Sequence, residues 1–318
     1  MDVLADALAV AGVRGTVAVR IDGREEWAVA WAQNADAVLY AVTAGSAWLT
    51  VADADDRTAA PVELRAGDVV LLPTGVAHAI ASDPDRTPKV CDVALADELR
   101  RTGGALRLGV GEPRTQLLGA SYRHDRVVSR HLFTLLPALV HIRGNRASTA
   151  LDGTVRLLTQ ETAAPQLATA VVLDRLVDVV LVHLLRCWLG RHAEQTRGTW
   201  LGALADPLVT EAMTRMHREP DRPWSTESLA RALAVSRSTL TRRFQSAAGQ
   251  SPGAYLTQWR MDLAARRLRD TDDTVETVAR SVGYTSVYAF NRAFSRTRSM
   301  PPARFRREAR RLQADRPQ

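Results

Sequence analysis

The stretch that decides the fold is LARALAVSRSTLTRRF at residues 229–244, which recurs in altered form as VARSVGYTSVYAFNRAF at residues 278–294. The copies align after one residue is inserted at a central turn. Apolar residues recur at helical spacing on both sides of that turn, so each copy predicts two helices that cross closely. The matched positions are Ala230, Arg231, Leu233, Leu240, Arg242 and Phe244 with Ala279, Arg280, Val282, Phe290, Arg292 and Phe294.

Each copy has the parts that a helix-turn-helix requires. A small alanine lets the helices approach, and a serine or threonine caps the second helix, at Ser236 and at Thr285 or Ser286. Apolar pairs four residues apart anchor one face and leave the opposite face free. A plain helical bundle with a chance repeat is the alternative, but two copies favour DNA reading. The free faces carry Arg237, Ser238, Thr241 and Arg242 in the first copy, and Val287, Tyr288, Asn291 and Arg292 in the second.

Charge is distributed unevenly along the 318 residues. From residue 205 onward the chain has 21 arginines against 12 acidic residues, whereas the first 204 residues carry a small net negative charge. A positive segment of this kind is expected to lie against DNA phosphates. The absence of a signal-peptide pattern or an apolar run of membrane-spanning length, with only two distant cysteines, predicts a cytoplasmic, nucleoid-associated protein and no membrane partner.

At these residues the chain resembles the AraC/XylS family of bacterial transcription regulators. The resemblance covers about residues 208–307, and Ser299, Pro301 and Phe305 depart from the usual glycine, serine and tyrosine. The matching motifs are GQSP at 249–252, YL at 255–256, RM at 260–261, Ala264, VA at 278–279, VGY at 282–284, Ser286, AF at 289–290, RAF at 292–294, PP at 301–302 and FR at 305–306.

The resemblance implies two helix-turn-helix units joined by a helix over about residues 252–269, with recognition helices in successive major grooves roughly 34 Å apart. It places base reading on Ser238, Thr241 and Arg242 and on the exposed set of the second copy. Arg242 and Arg292 either pair with guanine or contact a phosphate, and Asn291 suits adenine. The implied partner is double-stranded promoter DNA, with RNA polymerase as a further expected partner.

Residues 1–97 predict a different architecture, because short apolar runs alternate there with turn formers, after a possible short leading helix at residues 1–12. The segment GDVVLLPTGVAH at 67–78 resembles the second motif of cupins, which implies a cupin-like β-barrel. The predicted fold is therefore multidomain α+β: a sensor barrel at 1–97, a helical connector at 98–204, and an all-α DNA-binding domain at 205–318.

A metal-dependent cupin enzyme needs further histidines and a carboxylate, yet no histidine precedes His78. We therefore expect no catalytic residue, metal or cofactor, and a cupin enzyme fused to a DNA-binding domain is a disfavoured alternative. His78 is either a hydrogen-bonded core residue or, with Tyr40 and Trp48, part of a pocket for a small-molecule effector. Cys91 is either an ordinary half-buried thiol or an oxidant sensor.

The connector contains a long predicted helix over about residues 164–189. Its apolar stripe is broad enough to pack on the barrel or to form a two-fold interface, so a homodimer is possible. A regulator whose barrel only dimerises, without binding any effector, is the remaining alternative. The stripe comprises Val172, Leu176, Val179, Val180, His183, Leu184 and Cys187.

Overall fold

Two compact units make up the structure. The computed structural model describes residues 2–34, 36–52, 60–91, 98–99, 104–124, 133–146, 149–164, 166–192 and 194–314. Of these, a helical unit takes the residues before 13, between 133 and 135, and from 192 onward, and a cupin unit takes the others. The chain is thus divided differently from the three predicted segments: its first residues belong with its last hundred.

The cupin unit is built from two sheets, and the described strands form no closed barrel. The sheet orders are β11-β6-β3-β10-β1-β9 and β5-β4-β7-β2-β8. The strands are β1 (Arg14–Gly23), β2 (Ala28–Trp31), β3 (Ala37–Ala44), β4 (Ser46–Val51), β5 (Val62–Arg65), β6 (Val69–Leu72), β7 (His78–Ala81), β8 (Lys89–Val90), β9 (Ala105–Leu108), β10 (Thr115–Arg123) and β11 (Val140–Ile142).

The core of the cupin unit lies between these sheets, because alternate residues of each strand face inward. Ile21, Tyr40 and Leu72 come from one sheet, and Leu49 and Ile80 come from the other. The carboxylate of Asp68 stabilises the β5–β6 turn. It accepts hydrogen bonds from the amides of Arg65 and Gly144 and contacts the imidazole of His141 at 2.9 Å.

Strand β10 corrects the prediction of a helical connector. It lies between β1 and β3 in the larger sheet, and its residues alternate in orientation along TQLLGASYR. Leu117, Leu118 and Ala120 are all buried, so this central strand reads as an almost continuous apolar run without the clear alternation of a half-buried strand. The strand pairing that decides its conformation joins residues about a hundred positions apart.

The predicted long helix is present but begins later, after a preceding helix that ends near the expected start. The two helices are α2 (Thr149–Ala163) and α3 (Thr169–Arg191). Helix α3 packs on β1 and β10: the Tyr122 hydroxyl donates to the carbonyl of Val177 at 2.7 Å, and the Gly15 amide donates to Asp178 at 2.8 Å. Of the predicted stripe, Val180 and Leu184 are buried, whereas Val172 and Val179 are exposed.

The helical unit consists of nine described helices, which include the leading helix predicted at the start of the chain. Helix α1 contributes Val3 to the core of the first helix-turn-helix and Val10 to the core of the second. The helices are α1 (Val3–Val10), α4 (Trp200–Ala203), α5 (Pro207–Arg218), α6 (Thr226–Ala232), α7 (Arg237–Ala248), α8 (Pro252–Asp270), α9 (Val275–Ser281), α10 (Val287–Arg298) and α11 (Pro302–Ala314).

The internal repeat is longer than the two helix-turn-helix motifs. Arg260 on α8 donates to the carbonyls of Pro220 and Arg222, just beyond α5. Arg310, fifty residues later on α11, donates to the carbonyl of Arg269 in the last turn of α8 and to that of Thr271 just beyond it. Each arginine therefore joins the last helix of its unit to the C-terminal end of that unit's first helix. Helix α8 is the last helix of the first unit and the first helix of the second.

Candidate functional site

The first reading helix is α7, and local capping fixes where it begins. The Ser236 hydroxyl accepts the amide hydrogen of Thr239 at 3.0 Å, which satisfies a donor at the start of the helix. Leu240 and Phe244 are fully buried, one helical turn apart. The face opposite these two residues is thereby held outward.

All four predicted residues of the first reading face are exposed. Thr241 donates its hydroxyl to the carbonyl of Arg237 at 2.9 Å, so it presents a methyl group and acceptor lone pairs to a partner. Ser238 lies 2.9 Å from the capping hydroxyl of Ser236. Arg242 is exposed, and beyond the first turn of the helix it is the longest side chain of this face. The neighbouring Arg243 instead makes a bidentate ion pair with Asp206 at 2.9 and 2.7 Å.

The second reading helix is α10, which the hydroxyl of Ser286 caps; Thr285 is not the capping residue. Phe290 and Phe294 are fully buried beneath it. Tyr288 is 71% exposed, and the guanidinium of Arg292 lies 5.8 Å from the centroid of its ring. Asn291 is exposed beside them, whereas Val287 is half-buried.

The two exposed faces continue for one turn beyond the residues predicted from the sequence. Gln245 and Ser246 are exposed four residues after Thr241 and Arg242, and Arg296 is exposed four residues after Arg292. Helical spacing alone points to them, since residues four apart share a face. These side chains extend each exposed face along its helix.

The chemistry of the faces suits a duplex. Guanidinium groups donate to guanine O6 and N7 or to phosphates, and a carboxamide donates to and accepts from adenine. Arg242 and Arg292 supply the first kind of group and Asn291 supplies the second. Among the residues that the structure describes, these exposed reading faces carry no acidic side chain.

The predicted pocket residues of the cupin unit separate into two places. Tyr40 and His78 meet in the core, where the Tyr40 hydroxyl lies 2.8 Å from Nε2 of His78 and Nδ1 of His78 lies 2.8 Å from the carbonyl of Val76. Trp31 stacks on the imidazole at 5.3 Å. Burial lowers the pKa of His78, so the neutral ring accepts a hydrogen bond at Nε2 from the hydroxyl of Tyr40. Burial raises the pKa of Tyr40.

Trp48 lies on the other face of its strand and does not join this cluster. Its neighbours Ala47 and Leu49 are fully buried in the core, so the side chain between them points away. Cys91 is half-buried against the core cluster, and its amide donates to the carbonyl of Ala30 at 2.8 Å. Electrostatic interaction with Cys91 adds to the effect of burial in raising the pKa of Tyr40.

Two features are absent from the residues that the structure describes. No three histidine, cysteine, aspartate or glutamate side chains lie together as a metal site would require, and none of the helices described has the length and apolarity to cross a bilayer.

A cupin-type domain together with two exposed, capped recognition helices defines a helix-turn-helix DNA-binding transcription regulator. A family model described as a cupin matches residues 2–190, and one described as a helix-turn-helix domain matches residues 229–308. The chain belongs to the AraC-like family of transcription regulators, and DNA is its partner.

Two relatives and one solved structure are similar to this chain. A Streptomyces lividans protein named as an AraC-like transcription regulator is 34% identical over 96% of this chain and 98% of its own length. The HTH-type transcriptional regulator AlkR of Acinetobacter baylyi is 28% identical over 89% of this chain and 92% of its own. The DNA-binding domain of AdpA, solved in complex with a target DNA, is 31% identical over 35% of this chain and 98% of that domain, with a TM-score of 0.33.

Proposed function

We propose that this regulator reads promoter sequence through Arg242 in the first unit and through Tyr288, Asn291 and Arg292 in the second, and that its cupin unit receives the signal. The exposure of these side chains on two capped helices is the observation that carries the proposal. Arg237, Ser238, Thr241 and Val287 complete the two faces. Each good bidentate base contact contributes about 1–3 kcal/mol of discrimination.

Arg242 and Arg243 provide a matched test on one helix. Arg242 is exposed and points outward, whereas Arg243 is held by Asp206. After selection of preferred sites from random duplexes, we expect Arg242→Ala to weaken the preferred site by about 1–3 kcal/mol and to flatten preference at one base. We expect Arg243→Ala to leave the base preference unchanged. An equal loss on every sequence for Arg242→Ala would make that residue a phosphate contact.

The cupin unit is proposed to bind a small-molecule effector or to respond to oxidants. The ring cluster of Trp31, Tyr40 and His78, with Cys91 packed against the same core, supports this role chemically. A ligand of the folded state raises the midpoint of thermal unfolding. A screen of metabolites and oxidants should therefore shift the wild type, and Tyr40→Phe or Cys91→Ser should remove a specific shift. No shift with any compound would leave the dimer-only alternative.

That alternative has an observation of its own in α3. Val171, Val172 and Val179 are 62%, 40% and 41% exposed on the side away from the sheet. A second copy of the chain would cover this face in a two-fold interface. In analytical ultracentrifugation we expect the double variant Val172→Glu with Val179→Glu to be monomeric. Ala170→Glu, on the opposite side of the same helix, should stay dimeric, and an unchanged double variant would exclude this interface.

Activity as an enzyme is not part of the proposal. The relatives are named as transcription regulators, and the polar atoms of His78 are engaged by Tyr40 and Val76. RNA polymerase is proposed as the protein partner at the promoter, in the bacterial cytoplasm. Transcription reconstituted from purified polymerase and a selected site should change when the regulator is added, and an unchanged transcript level would contradict this.

A further inference from the structure

The first turns of the two reading helices differ in polarity. Helix α7 begins with RST at residues 237–239, and all three side chains form hydrogen bonds through their polar groups or can do so. Helix α10 begins at the equivalent positions with VYA at residues 287–289, where the tyrosine hydroxyl is the only hydrogen-bonding side-chain group. The N-terminal residues of a recognition helix are those that contact base edges. The second unit therefore presents a mainly apolar surface where the first presents a polar one.

This apolar surface is accessible from outside the unit. Tyr288 is 71% exposed, Ala289 is exposed and Val287 is half-buried. Among the described residues of the helical unit, Tyr288 is the only large hydrophobic side chain that is exposed. The hydroxyl of Ser286 accepts the amide hydrogen of Ala289 at 3.3 Å and so fixes the turn that carries all three side chains. The ring is thus held on the same face as the polar reading residues.

The tyrosine ring lies beside a guanidinium group that suits guanine. The central carbon of the Arg292 guanidinium is 5.8 Å from the centroid of the Tyr288 ring, which is within the range of a cation–π contact. An arginine on a recognition helix pairs with O6 and N7 of guanine. Successive base pairs are about 3.4 Å apart along the duplex. A ring at this separation from the guanidinium therefore faces a base pair close to the one that Arg292 reads.

The major groove offers one kind of apolar group to such a ring. The base edges present hydrogen-bond donors and acceptors there, together with the C5-methyl group of thymine. A 5-methylcytosine carries the same methyl group at the same place. A phenol cannot make the paired hydrogen bonds of an amide or a guanidinium, but it gains free energy by covering a methyl group. The C5-methyl group is therefore the feature of the duplex that matches this surface.

We propose that Tyr288, with Ala289 beside it, reads the C5-methyl group of a thymine or a 5-methylcytosine close to the guanine that Arg292 reads. Where the base is cytosine, its methylation raises the affinity of the regulator for the site. The first unit has Ser238 at the equivalent position and lacks this ring. The inference rests on the proposed reading of bases by α10.

Deoxyuridine provides the direct test, because it differs from thymidine only in lacking the methyl group. The second block is defined as the bases at which Arg292→Ala loses preference in site selection. Each thymine of this block is replaced in turn, and binding of the full-length protein is measured by fluorescence anisotropy. One replacement should weaken binding about four-fold, the factor expected when one methyl-sized group is no longer buried.

The second arm of the test places cytosine or 5-methylcytosine at the same position. We expect the methylated base to bind about four-fold more tightly than cytosine. An effect at only one of the two bases would identify that base as the source of the methyl group. If neither pair of duplexes differs at any position of the second block, the proposal is overturned.

Two variants assign the effect to the ring. Tyr288→Ala should reduce the ratio of affinities for thymine and deoxyuridine to about one, whereas Tyr288→Phe, which keeps the ring, should preserve it. Loss of the ratio in Tyr288→Phe would assign the contact to the hydroxyl and overturn the proposal. Deoxyuridine in the block read by Arg242 is the control, and Tyr288→Ala should not alter its effect. Because Tyr288 is exposed, both variants should unfold at the temperature of the wild type.

The same data separate this inference from the proposed function. A second block that keeps its base preference but is insensitive to every methyl group overturns the methyl inference alone. Absence of any base preference that depends on Arg292 overturns the proposed reading by α10 itself.

Discussion

The two helix-turn-helix units have the same backbone conformation but place different residues at the positions where φ is positive. Both require a left-handed residue in the turn and another where the reading helix ends. The first unit has Ala234 in the turn and Gly249 at the helix end, whereas the second has Gly283 in the turn and Ser299 at the helix end. The conformation belongs to the fold, because it persists where the residue does not favour it.

The turns themselves are hydrogen-bonded alike. The amide of Val235 donates to the carbonyl of Ala230 at 3.0 Å, and forty-nine residues later the amide of Tyr284 donates to the carbonyl of Ala279 at 2.9 Å. Each unit therefore contains one residue other than glycine with a positive φ in this motif. The comparison shows that such strain is tolerated at either position, provided that the surrounding helices pack.

The cores beneath the reading helices differ in polarity. In the first unit the hydroxyl of Tyr255 lies 2.7 Å from Nε2 of His217, whose Nδ1 lies 3.1 Å from Asp6 on α1. In the second unit the equivalent residue is Phe305, which packs edge-on against Phe294 at 5.3 Å. Only the first unit of this pair has a titratable residue joining it to α1.

The largest expected effect is on the free energy of unfolding and comes from substitution at the C-terminal end of α7, compared with the equivalent end of α10. A Cβ at Gly249 would lie 2.1 Å from the carbonyl oxygen of Gly198 and would also strain the backbone. We expect Gly249→Ala to lower the free energy of unfolding by about 3 kcal/mol in urea denaturation. Ser299→Ala, at the equivalent and exposed end of the second unit, serves as control and should change it by less than about 0.5 kcal/mol.

The next prediction concerns the reading faces. Asn291 can make a bidentate contact with adenine, whereas the equivalent Thr241 already donates its hydroxyl to the backbone. Binding to a selected site should weaken by about 1–3 kcal/mol in Asn291→Ala and by about 0.5 kcal/mol in Thr241→Ala. Titrations by fluorescence anisotropy would show this order. The reverse order would mean that the first unit carries most of the discrimination.

Relief of the two strained positions should have a smaller effect of opposite sign. We expect Ser299→Gly and Ala234→Gly each to raise the unfolding free energy by about 0.5–1 kcal/mol, because glycine adopts positive φ without steric cost. Both residues are exposed, so little packing is lost. Thermal melts of the single and double variants test this; destabilisation by both would contradict the strain argument.

The smallest effect concerns pH. Burial lowers the pKa of His217 from 6.5, although Asp6 opposes the shift. As pH falls through about 6.5, the unfolded chain takes up the proton first, so this contribution to stability is complete above that pH and decreases below it. His217→Gln should flatten the dependence of unfolding free energy on pH between pH 5 and 6.5. An unchanged slope in His217→Gln would contradict the argument.

The sequence predicted the helical unit well because its information is local. The caps at Ser236 and Ser286, the buried pairs beneath them and the exposed faces all follow from residues within one or two helical turns. The extra repeat of Arg260 and Arg310 was missed. Their partners are backbone carbonyls, which leave no side-chain pattern in the sequence.

The cupin unit was harder to predict because its decisive contacts are distant in the chain. Strand β10 pairs with β1 across about a hundred residues, and its apolar run does not distinguish a buried strand from a helix. Around Trp48, the alternation of side chains along β4 did not show which face of the strand is buried. In the structure the smaller Ala47 and Leu49 lie in the core. The place of α1 beside Tyr255 and Trp259 also follows from packing that no local signal reveals.

The central claim is that the two helix-turn-helix units read DNA in equivalent ways. The most direct test is to map base preference for the wild type, Arg242→Ala and Asn291→Ala on randomised duplexes. The account predicts that each variant loses preference at its own short block of bases, and that the two blocks lie about one helical turn, 10–10.5 base pairs, apart. Loss of the same bases in both variants, or a uniform loss at every position, would contradict the account.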